Sequence, residues 1–302
     1  MNSNAAYVLV TPARNEQATI ESTILSVVRQ TTPPKEWIIV SDGSTDQTDD
    51  IVRRYASAFP YIKLLRLEAR PSRNFASVVF ALEAGLAALQ CTDSEYIGLI
   101  DADVRFPPNY YEQLMLKFSQ HPQLGLAGGL VLDLVNGRLI HGRNNLDEVA
   151  GATQFFTRKC FVSLNGLIAI KEGGWDALTC VCARMNGYAV HSFPDLIMEH
   201  LKPRNAAFGS PLQRKWQMGQ RDYALAYHPA YEFSKCVSRV WEAPLILGAI
   251  SWFLGYCWAV CGRRQQTLPI KLVRFIRQEQ RIKLAQLLRF RRTAVNSFSE
   301  AC

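Results

Sequence analysis

The chain has 302 residues, with 34 Lys and Arg against 26 Asp and Glu and a formal charge of +8 at pH 7. Its length fits one large α/β domain with an appendage, its 48% apolar content supports a sizeable core, and its basic excess points to an anionic partner: nucleic acid, a nucleotide or an anionic membrane surface. The polar start, residues 1–7, excludes a signal peptide from the expectation and places the start in the cytosol, and Cys180 and Cys182 lack the second pair that a zinc ribbon needs.

In chain order, residues 7–10 form a short apolar run ending in Thr11-Pro12 and read as a buried strand. Ile20, Ile24, Leu25 and Val28 then fall at helical spacing. Residues 37–40 are a second buried strand, broken by Ser41-Asp42-Gly43-Ser44, and residues 46–59 read as a helix with Asp46 as its N-cap. Residues 62–67 are a third strand, residues 75–89 an Ala-rich helix, and residues 96–100 a fourth strand that runs into Asp101-Ala102-Asp103. The alternation predicts an α/β fold with a parallel sheet, whose ligands sit beyond the carboxyl ends of the strands. Residues 107–229 are expected to be mixed α/β, and most cysteines to be reduced and buried.

Three polar clusters lie at those strand ends. Alternating carboxylates at Asp101 and Asp103 point to opposite sides of an extended backbone, so one can meet a ribose while the other, through a turn, holds a cation. Hard oxygen ligands suit Mg²⁺ or Mn²⁺, with a diphosphate supplying further ligands; a solvated turn is the alternative. Residues 11–16, Thr-Pro-Ala-Arg-Asn-Glu, serve either as an acidic helix start or as a nucleotide clamp. Asp42 can accept hydrogen bonds from a uracil or guanine edge, or belong to a Gly-containing turn.

Val10-Thr11-Pro12-Ala13-Arg14-Asn15-Glu16, Val40-Ser41-Asp42-Gly43-Ser44-Thr45-Asp46 and Asp101-Ala102-Asp103, in this order and at these intervals, resemble the family-2 inverting glycosyltransferases of bacterial surface polysaccharide and glycolipid synthesis. The likeness is specific over residues 7–105 and looser to about residue 230. It implies a GT-A fold, a nucleotide-diphosphate sugar donor, UDP- or GDP-linked, and a divalent cation. By that resemblance Pro12, Asn15, Glu16 and Asp42 hold the nucleoside, with Arg14 and Ala102 in the same donor set. Asp101 approaches the ribose, Asp103 the metal, and Arg73 the base or phosphates. Ser41 stands where an Asp is frequent, leaving Asp42 as the carboxylate there.

Gly173-Gly174-Trp175-Asp176 resembles the family's Gly-Gly turn before a helix, here bounded by Asp176 and Gly187. Asp176 then takes the place of the general base that deprotonates the acceptor hydroxyl, although Trp175 replaces the usual Glu; helix N-cap is the alternative role, and the two can coexist. His200 is expected to complete the metal site or contact the diphosphate, or else to be structural, and Lys202 and Arg204 to neutralise phosphate oxygens. Gln213-Arg214-Lys215-Trp216 departs in spacing from the Gln-x-x-Arg-Trp signature of processive synthases, so no polymerising synthase is inferred.

Residues 243–261 carry no charge and have borderline length for a transmembrane helix, about 28 Å against a hydrocarbon core of ~30 Å. Lys235 and Arg239 before it and Arg263 and Arg264 after it put basic residues at both ends, which favours a re-entrant or in-plane helix over a simple crossing. Lys271, Arg274, Arg277, Arg281 and Lys283 interleave with Leu272, Val273, Phe275, Ile276 and Leu284 in a basic amphipathic pattern suited to anionic lipid. The alternative is a pair of soluble helices packed on the catalytic domain, with a homodimer partner.

The expected organisation is a catalytic domain over residues 1–230, divided into a nucleotide-binding half (7–105) and an acceptor half (106–230), and a membrane-associating segment over 231–302. The expected protein is an inverting glycosyltransferase at the cytoplasmic face of the plasma membrane, acting on a hydroxyl of a glycan or lipid-linked acceptor. A polyprenyl-phosphate sugar synthase is the alternative with the same donor site, because a phosphate nucleophile needs no strong base. A pyrophosphorylase would need glycine in the loop after the first strand, and residues 11–19 contain none. Basic residues beside an apolar segment, rather than among stacking aromatics, argue against nucleic-acid binding.

Overall fold

In the computed structural model the described residues are 6–69, 74–141, 145–202, 210–262 and 266–299. The chain forms two compact units, Met1–Ala206 and Ala207–Cys302. Residues 207–230, assigned above to the acceptor half, therefore fall in the second unit.

The first unit opens with β1 (Tyr7–Ala13), α1 (Ile20–Val28), β2 (Glu36–Asp42), α2 (Thr48–Ala58), β3 (Ile62–Leu67), α3 (Ala76–Ala88) and β4 (Tyr96–Ile100). It continues with β5 (Val104–Arg105), α4 (Tyr110–Gln120), β6 (Leu124–Val135), β7 (Arg138–His141), β8 (Thr153–Thr157), α5 (Arg158–Ser163), α6 (Trp175–Met185) and β9 (Ala189–His200). One sheet runs β3-β2-β1-β4-β8-β6-β9-β5, with β7 paired to β6. The first four strands are parallel, as their alternation with helices dictates. The second half is mixed: β8 is antiparallel to β4 and β6, while β9 is parallel to β6.

Strand alternation divides the core between two sheet faces. Tyr7, Leu9, Trp37 and Ile39 pack with Ile20, Ile24 and Val27 of α1 and with Tyr110, Tyr111 and Leu114 of α4. Val8, Val10, Ile38 and Val40 face the other way, against Ala81 and Leu82 of α3 and Cys180 and Ala183 of α6. Four of the seven described cysteines, Cys160, Cys180, Cys182 and Cys236, are buried, and all seven are free thiols.

The sequence marks where β9 must leave the ladder. Gly129 pairs with Phe193 but Leu130 pairs with Ile197, so residues 194–196 form a bulge in the ladder. Pro194 has no N–H to give to a ladder, which fits this position. The Gly129 amide, released from the ladder, donates to the Tyr110 hydroxyl at 2.8 Å. Beyond the bulge β9 recovers its register and delivers His200 opposite Val104 of β5.

The second unit comprises α7 (Pro211–Ala224), α8 (Pro229–Val237), α9 (Leu247–Cys261) and α10 (Ile270–Ser299). Ser210 and His228 cap α7 and α8 through the amides of Gln213 and Ala230, and each is followed by a proline at the first helical turn. Among the described residues no helix is long and apolar enough to cross a membrane. The uncharged run 243–261 yields only the 15-residue α9, about 22 Å long, because the backbone ahead of it is irregular and Ile246 sits at φ 48°. The basic tail is one long helix, α10.

Candidate functional site

The sheet order reverses between β1 and β4, with β2 and β3 on one side of β1 and β4 on the other. A crevice must form there beyond the strand ends, because the connecting helices leave in opposite directions. A cavity lies at this point. It is lined by Pro12, Ala13, Arg14 and Glu16 after β1, by Asp42 at the end of β2, by Asp101, Ala102 and Asp103 after β4, and by His200. Ser77, Val78 and Ala81 of α3 form the remaining wall. Sequence reasoning missed these three; Ser77 and Ala81, small residues one helical turn apart, were the available signal.

Two strand pairings assemble the acidic end. The two-residue β5 follows Asp103 and pairs antiparallel with the end of β9, and the Leu201 amide donates to the Asp103 carbonyl at 2.8 Å. His200 Nε2 thus lies 3.5 Å from Asp103 Oδ1 and 3.9 Å from Asp101 Oδ2. One ligand atom from each of the three residues lies within 4.8 Å of the other two. Burial, with the Asp101 carboxylate nearby, pushes the Asp103 carboxyl up to about 7. Burial works against charge on His200, but Asp101 and Asp103 outweigh it and raise the imidazole to about 9. The His200 Nδ1 meets the Lys202 carbonyl, which can only accept, so Nδ1 is the donor. The Nε2 lone pair of neutral His200 is then directed at the carboxylates.

These residues fit a divalent cation. Burial, with the Asp101 carboxylate nearby, favours the neutral form of Asp103, and the His200 imidazole lies beside both carboxylates. Hard oxygens with one imidazole suit Mn²⁺ or Mg²⁺.

The opposite end of the cavity, at the loops after β1 and β2, is built differently. The loops after β1 and β2 are joined by the Thr45 amide donating to Asn15 Oδ1 (2.9 Å), the Glu16 amide to Thr48 Oγ1 (2.8 Å) and the Gln17 amide to Asp46 Oδ2 (3.1 Å). Asn15, at φ 54°, therefore spends its side chain on Thr45, and it does not line the cavity. Asp46 is not the N-cap of α2, a position taken by Gln47; its carboxylate accepts from the Thr48 amide instead. Gly43, at φ 67°, passes so close to Ala69 that a Cβ would lie 2.6 Å from its Cα, so only glycine fits this turn. Asp42 is almost wholly buried, with Oδ2 3.8 Å from the Arg14 guanidinium and Oδ1 without a hydrogen-bond partner. Glu16 pairs with Lys202, which ties the first loop to the segment after His200.

Asp176 does not line this cavity, but one turn links it there. The Gly151 amide donates to Asp176 Oδ2 at 3.3 Å, and the carbonyl of the next residue, Ala152, accepts from the Asp101 amide at 3.4 Å. The helix α6 starts at Trp175 after Gly174, which is the N-cap at φ 92°, so Asp176 lies in the first turn and is not the cap. Arg73 and Arg204 lie outside the described residues.

The glycosyl transferase family 2 profile matches residues 8–174, more than half of the chain. Over 115 residues the chain is 30% identical to YibD of Escherichia coli K12, described as an uncharacterized glycosyltransferase; the match covers 38% of this chain and 31% of YibD. The chain spans about a third of the length of such curated relatives. Among solved structures, TarS 1–349 of S. aureus in complex with UDP-GlcNAc superposes with a TM-score of 0.53 at 19% identity, over 71% of this chain and 64% of that one. The mannosyltransferase PcManGT of Pyrobaculum calidifontis, in complex with GDP-Man and Mn²⁺, superposes with a TM-score of 0.57 at 17% identity, over 94% and 81%. With its GT-A-like α/β fold and a family match that takes in β1 through Gly174, the chain belongs to glycosyltransferase family 2.

Proposed function

We propose that the protein transfers a sugar, with inversion, from a UDP- or GDP-linked donor to a hydroxyl of a glycan or lipid-linked acceptor. We place this reaction at the cytoplasmic face of the plasma membrane, in the synthesis of a surface polysaccharide or glycolipid. The observation that carries the reading is the convergence of Asp101, Asp103 and His200 at the switch point that also holds the orphaned Asp42 Oδ1.

Asp42 lines the cavity and its buried Oδ1 has no hydrogen-bond partner, so its carboxylate accepts from an N–H donor on the base edge, as uracil and guanine both present. Arg14 compensates its charge. Asp101 and Asp103 with His200 would hold a divalent cation, which when bound neutralises the departing nucleoside diphosphate. Lys202, fixed by Glu16, adds a positive charge beside it, and Arg73 and Arg204 are proposed to meet the phosphates. Asp176 takes the proton of the acceptor hydroxyl through Oδ1, since Gly151 occupies Oδ2. The acceptor oxygen bonds to the anomeric carbon as the bond to the diphosphate oxygen breaks, and one displacement inverts the configuration.

Calorimetric titration with UDP and GDP, with and without Mn²⁺, tests the donor site. One nucleotide should bind in a metal-dependent manner, and Asp103→Ala should weaken it at least ~10-fold. Folded protein that binds neither nucleotide under any metal condition would sink the enzyme reading. Asp176→Asn should lower kcat by ~10²–10⁴ while nucleotide affinity holds; an unchanged rate would point to a phosphate acceptor instead.

A further inference from the structure

The second unit exposes a face that its own packing leaves uncovered. Helix α9 has no charged residue, and its buried side, including Gly248, Trp252, Gly255, Tyr256 and Ala259, is spent within the unit. Its opposite side presents Leu247, Ile250, Leu254 and Trp258, all about half exposed or more, at spacings of three, four and four residues. Trp241, 81% exposed, precedes this row, and Phe233 of α8 meets Phe253 edge-on and widens it. Such a continuous apolar row, with two exposed tryptophans, marks a docking surface.

Charge indicates the occupant. Residues 207–302 contain 15 Lys and Arg against 5 Asp and Glu, whereas the first 206 contain 19 against 21. The whole basic surplus of the protein thus belongs to the unit that carries the apolar row. Lys271, Arg274 and Arg281 of α10 are exposed. A second copy docked on this face would bring two strongly cationic units together, while an anionic bilayer would neutralise them. A span is excluded for α9 itself, because it is about 22 Å long and its inner side packs on a buried ion cluster: Trp252 Nε1 donates to Asp222, which is paired with Lys235.

We propose that the outer side of α9, from Leu247 to Trp258, lies in the plane of an anionic bilayer surface with its side chains in the headgroup–acyl boundary, and that the basic residues of the same unit hold the lipid headgroups. This deepens the membrane placement given above and rests on it, but not on the transfer chemistry. Tryptophan rings prefer that boundary, where an apolar body and a polar N–H are both satisfied.

The test is co-sedimentation of the full chain with vesicles of phosphatidylglycerol and phosphatidylethanolamine in equal parts, beside vesicles of phosphatidylcholine alone. The protein should pellet with the anionic vesicles and bind phosphatidylcholine at least ~10-fold more weakly. Leu254→Ser with Trp258→Ser, both on exposed positions, should lower partition ~10-fold or more while UDP or GDP binding is unchanged. Should the double variant fail to fold, quenching of wild-type tryptophan emission by spin-labelled lipid replaces it; an absence of quenching overturns the proposal. Wild-type protein that stays in the supernatant yet binds nucleotide overturns the docking and leaves the enzyme reading standing. Undiminished vesicle binding by the folded variant overturns the assignment of the surface. A dimer that the variant converts to a monomer, with no vesicle binding, assigns the face to a second copy and overturns the lipid proposal.

Discussion

Asp103 and His200 hold the site's pH dependence. In the folded protein burial and Asp101 raise the Asp103 carboxyl to about 7, and Asp101 and Asp103 together carry His200 to about 9 against the cost of burial. Both must be free of the proton to act as ligands, so cation binding competes with protons. Mn²⁺ affinity should therefore climb as pH rises through about 7 and keep climbing towards about 9, with proton release measurable by titration in buffers of different ionisation enthalpy. A pH-independent affinity would remove these two residues from the ligand set. Stability of the ion-free protein runs the other way, and both residues carry the same sign: each makes the folded state less stable as pH rises. Asp103, raised above its unfolded value of 3.8, costs progressively more as pH rises from there through about 7; His200, raised above 6.5, contributes fully below that value and is lost through about 9. Mn²⁺ should accordingly raise Tm more at about pH 8 than at about pH 6. The two carboxylates were legible in the sequence because a strand end marks them, and the imidazole through the resemblance to the family. The role of Asn15 was not, since nothing in a single sequence says that its amide reaches 30 positions along to Thr45. Gly151 was also invisible: a Cβ there would lie 2.9 Å from the Trp175 ring and 3.3 Å from Asp176 Cβ. Gly151→Ala should displace Asp176 and lower kcat with little effect on nucleotide affinity.

Helices α7 and α9 cross backbone to backbone. A Cβ on Gly219 would lie 2.0 Å from the Trp252 carbonyl oxygen, and one on Gly255 2.2 Å from that of Trp216. Gly255 in the sequence is only a glycine in an apolar run; in the structure it is one half of this crossing. Gly255→Ala should destabilise the second unit by ~1–3 kcal/mol in urea unfolding, because the backbone must move apart. The ion cluster beside the crossing adds a titration of its own. Burial and the neighbouring Asp222 raise Glu232 to about 8, while Lys235 and Arg221 overcome burial and keep Asp222 below its usual range. A carboxyl raised on folding favours the folded state most when protonated, so this unit should lose stability as pH rises from about 4.5 to about 8, and Glu232→Gln should flatten that slope. Cys236, whose thiol donates to Glu232, remains a protonated bystander in that range.

Across the whole chain, the parallel half of the sheet was readable from alternation, and β3 and β4 fall at the boundaries expected for them. The mixed half was not, because β8, β6 and β9 pair over long sequence distances with no local turn signal to announce the order. The first unit ends at Ala206, ahead of the boundary expected at residue 230, and α7 packs with α9 in the second unit. Charge division also acts at this scale, with a near-balanced first unit and a strongly basic second one. Binding to phosphatidylglycerol vesicles should weaken steeply as salt rises from ~0.05 to ~0.5 M, where the screening length falls below ~10 Å, and level off at the residue due to apolar contact. Complete loss of binding would mean that charge alone holds the protein to the surface.

The three hydrogen bonds between the loops after β1 and β2 have one more consequence. They make that end of the cavity a mould already set, while at the acidic end a cation must displace the protons that Asp103 and His200 hold. Recognition of the donor should then be sequential: the base finds its seat first, at little cost in ordering, and only the phosphates wait for the ion. A nucleoside without phosphates should bind equally well with and without Mn²⁺, whereas the diphosphate should not.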